Sequence, residues 1–290
     1  MKPPPFQYHD PKTLAEAVGL LGKLENAKLL AGGQSLMPML NMRFVLPDHV
    51  IDLNRVDGMS YIRESGGALE IGAMTRQRDI EFSDLVKAKC PLLHQAIMHI
   101  GHRQTRNRGT IGGSLCHLDP AAELVTVAAA HDATVVAAGP KGQREIAFKD
   151  FPAGYLTPAI ELNEIVIAVR FPLWPAGHKA AFVEFSRRHG DFAIVSAAAL
   201  LEINGGKIAR ASLTVGGVAV APVRATDVEK AITGQAPGSE LFAKVCESCR
   251  TIEALADIHA SADYRQHLAA VLSRRALERA CGFPTPGALH

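Results

Sequence analysis

The chain has 290 residues, 48% of them hydrophobic, and a formal net charge of +2. That length accommodates two or three domains, and a charge so near neutral argues against general binding to nucleic acid or to an anionic membrane surface. No apolar run reaches the roughly 20 residues that span a bilayer. Met1-Lys2-Pro3-Pro4-Pro5 has no apolar signal region, so the expected compartment is the cytoplasm. The five cysteines (Cys90, Cys116, Cys246, Cys249 and Cys281) are odd in number, which agrees with a reducing compartment. Cys246 and Cys249 form a CxxC inside a helical pattern. A zinc or iron–sulfur site needs more thiolates within reach, so no metal site is expected.

Phe6 to Tyr8 reads as a short strand. Asp10-Pro11-Lys12-Thr13 then starts a helix, with Thr13 as cap and Leu14, Val18, Leu21 and Leu24 at helical spacing. Lys28 to Ala31 is a strand. Ala31-Gly32-Gly33-Gln34-Ser35-Leu36 is a tight glycine turn, followed by a short helix, Leu36 to Met42, capped by Ser35. With His49 to Leu53 as a third strand, this completes a βαβαβ unit ending near Arg55. Ser60 to Arg63 and Ala68 to Ala73 pair around Ser65-Gly66-Gly67. Thr75 to Ile80, with Thr75 as cap, and Pro91 to Ile100 read as helices. A basic stretch, Arg103 to Gly109, leads into a second glycine turn, Gly109-Thr110-Ile111-Gly112-Gly113-Ser114.

Ala121 to Ala130 is a helix apolar nearly all round, and therefore buried. Ala133 to Ala138, Glu145 to Phe148 and Glu164 to Phe171 are strands of a mostly antiparallel region. Pro172 to Gly177 interrupts both strand and helix and reads as a linker. Beyond it lie strands at Ala180 to Ser186, Ile194 to Ile203 and Lys207 to Val215, with Gly205-Gly206 as the last hairpin turn. Helices follow at Arg224 to Ile232, Glu240 to Leu255 and Ala262 to Ala280, closed by Gly282 and Pro284. The expected domains are residues 1–176, divided at 55, and residues 177–290.

Neither glycine stretch is a Rossmann fingerprint or a P-loop: there is no G-x-G-x-x-G after a strand and no G-K-S/T. One Gly-Gly pair marks a turn and no more. Two stretches of the same form suggest that backbone N–H groups from two loops clamp the two phosphates of one dinucleotide. His117 and Asp119 read either as an acid–base pair or, in the absence of an identified substrate pocket, as structural or cofactor-orienting groups. Arg103, Arg106 and Arg108 read equally as a solvated surface or a cofactor-adjacent loop, and Arg187-Arg188 as surface or partner contact. No Ser-His-Asp or Cys-His nucleophile can be assembled, so no catalytic residue is expected in this chain.

Ala31-Gly32-Gly33-Gln34-Ser35-Leu36 together with Thr110-Ile111-Gly112-Gly113-Ser114 resembles the double signature of the FAD-binding medium subunit of molybdenum hydroxylases. This group includes aerobic carbon monoxide dehydrogenase, xanthine dehydrogenase and bacterial N-heteroaromatic hydroxylases. The resemblance runs on through Asp119-Pro120-Ala121-Ala122-Glu123 and Arg187-Arg188-His189-Gly190-Asp191-Phe192-Ala193, and so covers essentially the whole chain. It implies an α+β fold: a two-part FAD-binding domain of the vanillyl-alcohol-oxidase type, then a small C-terminal domain with a three-stranded antiparallel sheet and helices.

The same resemblance implies roles. Leu30, Ala31, Gly32, Gly33, Gln34, Ser35 and Leu36 would wrap the pyrophosphate and ribityl chain. Thr110, Ile111, Gly112, Gly113 and Ser114 would supply the second set of N–H donors. Ile100 would pack near the adenine, Val166 would contact the flavin, and Asp191 and Phe192 would reach back from the C-terminal domain with Phe192 near the isoalloxazine. Glu123 stands where some members have a cofactor-contacting Asp, Gln34 where many have His, and Glu184 or Val183 where some have a flavin-contacting Lys. FAD would be held non-covalently. The partners implied are a large molybdenum–pterin subunit and a small 2Fe–2S subunit in a dimer of heterotrimers. Two other readings stay open: a self-sufficient FAD oxidase or reductase with its own substrate, and a scaffold that has lost its flavin.

Overall fold

A computed structural model describes residues 1–284. The chain opens with β1 (Gln7–His9), α1 (Leu14–Lys23), β2 (Ala27–Leu30), α2 (Leu36–Asn41) and β3 (His49–Asp52). The three strands lie in the order β1-β3-β2, all parallel. Parallel neighbours need crossovers, and α1 and α2 supply them. Thr13 caps α1 as its sequence suggests, its hydroxyl accepting from the Glu16 N–H at 3.2 Å. Ser35 occupies the N-cap of α2, but its side chain makes no capping bond. Pro38 sits in the first turn of α2, where the N–H it lacks has no helical partner to lose.

The middle of the chain contributes β4 (Ile62–Ser65), β5 (Ala68–Gly72), α3 (Gln77–Phe82), α4 (Asp84–Lys89), α5 (Pro91–Ile97), α6 (Arg103–Arg108), α7 (Ile111–His117) and α8 (Glu123–Ala130). It continues with β6 (Thr134–Gly139), β7 (Gly142–Ala147), the small hairpin β8 (Pro152–Gly154) and β9 (Thr157–Pro158), and β10 (Ile165–Pro172). Five strands form an antiparallel sheet ordered β4-β5-β10-β6-β7, with a bulge in β10 between Val166 and Ala168.

Several elements differ from the sequence reading. Thr75 does not cap α3. Arg76 occupies the N-cap position, without a side-chain capping bond, while the Thr75 hydroxyl bonds both the N–H and the carbonyl of Tyr61 at 3.0 Å. The helix α4, capped by Ser83, is an element beyond those expected from the sequence. The basic stretch is helical because Arg106 is buried: its guanidinium pairs with Glu81 at 2.8 Å and bonds the Ile100 carbonyl at 2.9 Å, a tertiary contact no local pattern reveals.

The second glycine stretch is not a turn but the first turn of α7, capped by the Thr110 hydroxyl, which accepts from the Gly113 N–H at 3.1 Å. Its glycines serve close packing: a Cβ at Gly112 would lie 2.6 Å from the Ala73 Cβ.

The last third builds β11 (Lys179–Phe185), β12 (Val195–Asn204), β13 (Lys207–Gly216), β14 (Val223–Arg224), α9 (Thr226–Ile232), α10 (Ser239–Cys246) and α11 (Ala262–Ala280). The sheet has four antiparallel strands, not three, because the two-residue β14 joins its edge. The helix expected from Glu240 to Leu255 ends at Cys246 and tightens into a 3-10 turn, Glu247–Thr251. There the Ser248 and Thr251 hydroxyls bond back to the carbonyls of Val245 and Ser248, competing with the helical ladder.

Both faces of this sheet are buried. Along β12, Ala198 and Leu200 join the core shared with the middle sheet, while the alternating Ala197, Ala199 and Leu201 face α9, α10 and α11. The helix α8 lies between, with the Ser212 hydroxyl donating to the Ala130 carbonyl at 2.6 Å. The linker is fixed rather than loose: Trp174 is buried, and the Arg210 guanidinium stacks 4.1 Å above its ring.

Candidate functional site

The first glycine stretch leaves the parallel sheet at the end of β2 and enters α2. Gly33 has φ +74°, in the left-handed region where a side chain is strained. The N–H groups of Gly32, Gly33, Gln34 and Ser35 make no hydrogen bond among the described residues. Four consecutive free donors at the mouth of a helix form an anion cradle. Gly32 also permits a backbone contact: a Cβ there would lie 2.3 Å from the Arg108 carbonyl oxygen and 2.8 Å from the Gly109 Cα. A Cβ at Gly113 would come within 3.5 Å of the Ala31 Cβ. The fold therefore brings together the two stretches singled out in the sequence, although they are about 80 residues apart.

Their roles are unequal. The N–H groups of Ile111, Gly112, Gly113 and Ser114 are already taken, by the Thr75 carbonyl (3.2 Å), the Ala73 carbonyl (2.9 Å), the Thr110 hydroxyl (3.1 Å) and the Thr110 carbonyl (3.1 Å). Of the five residues expected to supply a second set of donors, only Thr110 has an N–H that makes no hydrogen bond among the described residues. This stretch forms the wall against which the first is set, and Ala73 links it to β10 through the Ile167 carbonyl at 2.8 Å. Val166, on the bulge beside Ile167, is buried in the main core.

The other expected residues lie on separate elements. Ile100 is buried, with its carbonyl held by Arg106. The loop 186–193 reaches back from the C-terminal sheet: a Cβ at Gly190 would meet the His102 ring at 2.6 Å. Next to it Phe192 is 65% exposed, an aromatic face without a partner among the described residues. Asp191 is half-buried, 4.0 Å from Arg187.

Glu123 opens α8 and is only 4% exposed. Burial, then the nearby charges of Glu184 and Asp119, push its carboxyl up to about 8. Glu184 Oε1 lies 3.2 Å from His99 Nδ1, while its buried Oε2 has no partner among the described residues. His117 and Asp119 are not joined by a hydrogen bond; Asp119 instead accepts from the Ala121 N–H at 2.9 Å, across a turn where Leu118 is left-handed. Among the described residues no group of three or more His, Cys, Asp or Glu side chains converges as metal ligands.

Sequence reading missed two residues at the cradle. Asn54 donates to the Ala31 carbonyl at 2.9 Å, and Arg76 bonds both Asn54 Oδ1 and the Arg108 carbonyl. Nothing in a single Asn or Arg outside a motif signals such a role.

A dinucleotide with a pyrophosphate fits these residues: free N–H donors and a glycine where a side chain would collide. Comparison with known proteins gives the same class. Residues 4–174 match the FAD-binding domain of molybdopterin dehydrogenases, and residues 180–280 match the C-terminal domain of carbon monoxide dehydrogenase flavoproteins. The chain belongs to this family of FAD-binding medium subunits of molybdenum hydroxylases.

Among its relatives is the carbon monoxide dehydrogenase medium chain of Afipia carboxidovorans, 38% identical over 97% of this chain and 98% of the relative. Subunit alpha of the 6-hydroxypseudooxynicotine dehydrogenase complex of Paenarthrobacter nicotinovorans is also 38% identical, over 97% of this chain and 96% of the relative. A solved carbon monoxide dehydrogenase structure from Hydrogenophaga pseudoflava superposes with a TM-score of 0.94 at 38% identity, covering 97% of this chain and 99% of that one. The chain is thus the FAD subunit of a molybdenum hydroxylase complex of the carbon monoxide dehydrogenase type, an oxidoreductase subunit that mediates electron transfer. Among the described residues no helix is long and apolar enough to cross a membrane.

Proposed function

We propose that electrons reach this chain from 2Fe–2S clusters on a small partner subunit, after hydroxylation at a molybdenum–pterin centre on a large one, and leave for an external acceptor. The assembly is a dimer of heterotrimers in the cytoplasm. The run of free N–H groups from Gly32 to Ser35, set against Arg108 and Gly109, carries this reading, because it is a ready site for a pyrophosphate. Bound FAD supplies the redox chemistry. The protein binds and orients it: Leu30 to Leu36 hold the phosphates and ribityl chain, Thr110 to Ser114 back them, and Ile100, Glu123, Val166, Asp191 and Phe192 border the rest. We divide the chain into residues 1–176 and 177–290; the break between the two family matches, after 174 and before 180, supports this division.

The test is to purify the chain alone and with its two partner subunits. The full complex should hold one FAD per copy of this chain and reduce it with the hydroxylated substrate, while the lone chain reduces no small substrate. Turnover by the lone chain would overturn the reading.

A further inference from the structure

Asn54 and Arg76 tie the small parallel unit to the middle sheet at one point. Asn54 follows β3, where Asp52 Oδ1 accepts from its backbone N–H at 2.8 Å. A guanidinium only donates, so the Asn54 side-chain oxygen must face Arg76. Its amide NH2 is thereby left for the Ala31 carbonyl at 2.9 Å and for Asp52. Tyr8 holds the other oxygen of Asp52 at 2.7 Å.

Arg76 is fixed from its own side as well. It pairs by its backbone with Thr110; the Gln77 N–H bonds the Gly109 carbonyl at 2.8 Å, and the Ile111 N–H bonds the Thr75 carbonyl at 3.2 Å. Its side chain then reaches to the Arg108 carbonyl and to Asn54. That carbonyl is the atom that a Cβ at Gly32 would strike.

We propose that Arg76 is a positioning residue for the cofactor phosphates. Through Asn54 it braces the Ala31–Gly32 backbone against Arg108–Gly109, and so sets the spacing and direction of the free N–H groups. The brace rests on the FAD reading above. It demands arginine, because the planar fork reaches two acceptors at once and a lysine ammonium offers a single point charge. Half-burial and the neighbouring Arg108 charge disfavour the guanidinium cation, while Asp79 and Asp52 support it. An anion in the cradle would relieve the repulsion between the two arginines.

The experiment uses the whole complex, stripped of FAD and titrated with it. Arg76→Met and Asn54→Ala should each weaken FAD binding at least tenfold. The double variant should be no weaker than the worse single, because the two residues act as one unit. Arg76→Lys should recover little of the loss, and it replaces Arg76→Met should that variant fail to assemble. Additive losses that parallel equal falls in thermal midpoint would show plain stabilisation and overturn the brace. So would FAD binding within twofold of the parent in Arg76→Met. A parent complex that takes up no FAD would overturn the FAD reading and the brace with it, whereas an FAD-replete parent with unaffected variants overturns the brace alone.

Discussion

Gly32 is set so tightly against Arg108 that a Cβ on it would lie 2.3 Å from the Arg108 carbonyl oxygen. The obstacle is backbone and cannot swing away. Gly32→Ala should therefore push the two stretches apart and release FAD. Gly19→Ala, in the interior of α1 with nothing within 4 Å of the added carbon, should instead stabilise the chain by about 0.5–1 kcal/mol. Flavin absorbance per chain and thermal midpoints of both variants check this.

Arg106 and Glu81 form a buried ion pair beneath the turn at Ile100. Removing the cation leaves a carboxylate without its partner in a dry site, which costs about 3–5 kcal/mol. Arg106→Met should lower the thermal midpoint of the chain by several degrees and loosen the 100–109 segment. Hydrogen exchange of that segment, compared with the C-terminal sheet, reads the local effect.

The pH dependence of stability has a definite sign at Glu123. Burial, Glu184 and Asp119 raise its folded carboxyl to about 8, above the 4.5 of an unfolded glutamate. Between these values the folded chain holds a proton that the unfolded chain has lost. This group's contribution is most favourable below about pH 4.5 and declines as pH rises towards 8. Glu123→Gln should flatten that decline in denaturant melts taken from pH 5 to 8. An unchanged slope would refute the assignment.

Phe192 is exposed on its loop and contributes nothing to the core clusters. Phe192→Ala should leave the melting temperature of the FAD-free chain within a degree or so of the parent, since surface changes away from special features stay within about 0.5 kcal/mol. Its effect should appear in the flavin: a shifted absorption band and a faster loss of FAD on dilution.

Cys246 and Cys249 are both buried, and burial raises both thiols, which disfavours the reactive thiolate. Neither should react with an alkylating reagent in the native chain, and both should react on unfolding. Mass mapping of labelled peptides under the two conditions decides it.

Much of the fold could be read from sequence because its signals are local. Thr13 before a run of apolar residues at helical spacing marks α1, and Ser65-Gly66-Gly67 marks the hairpin of β4 and β5. The glycine stretch at residues 31–36 also declares itself, because positive φ and close backbone approach leave few alternatives to glycine. What sequence could not supply were features made by partners distant in the chain. Arg103–Arg108 is helical because Glu81 and the Ile100 carbonyl hold Arg106, and position 112 must be glycine because Ala73 lies where its Cβ would be.

The sequence by itself determined the parallel unit, the antiparallel middle and the presence of two glycine stretches, since turn chemistry and periodicity are properties of neighbouring residues. Only the tertiary structure decided what the two stretches do. The first keeps its N–H groups free, while the second spends its own on Ala73, Thr75 and Thr110 and becomes a wall. Whether a backbone donor is free depends on what the rest of the chain places opposite it, and no local pattern records that.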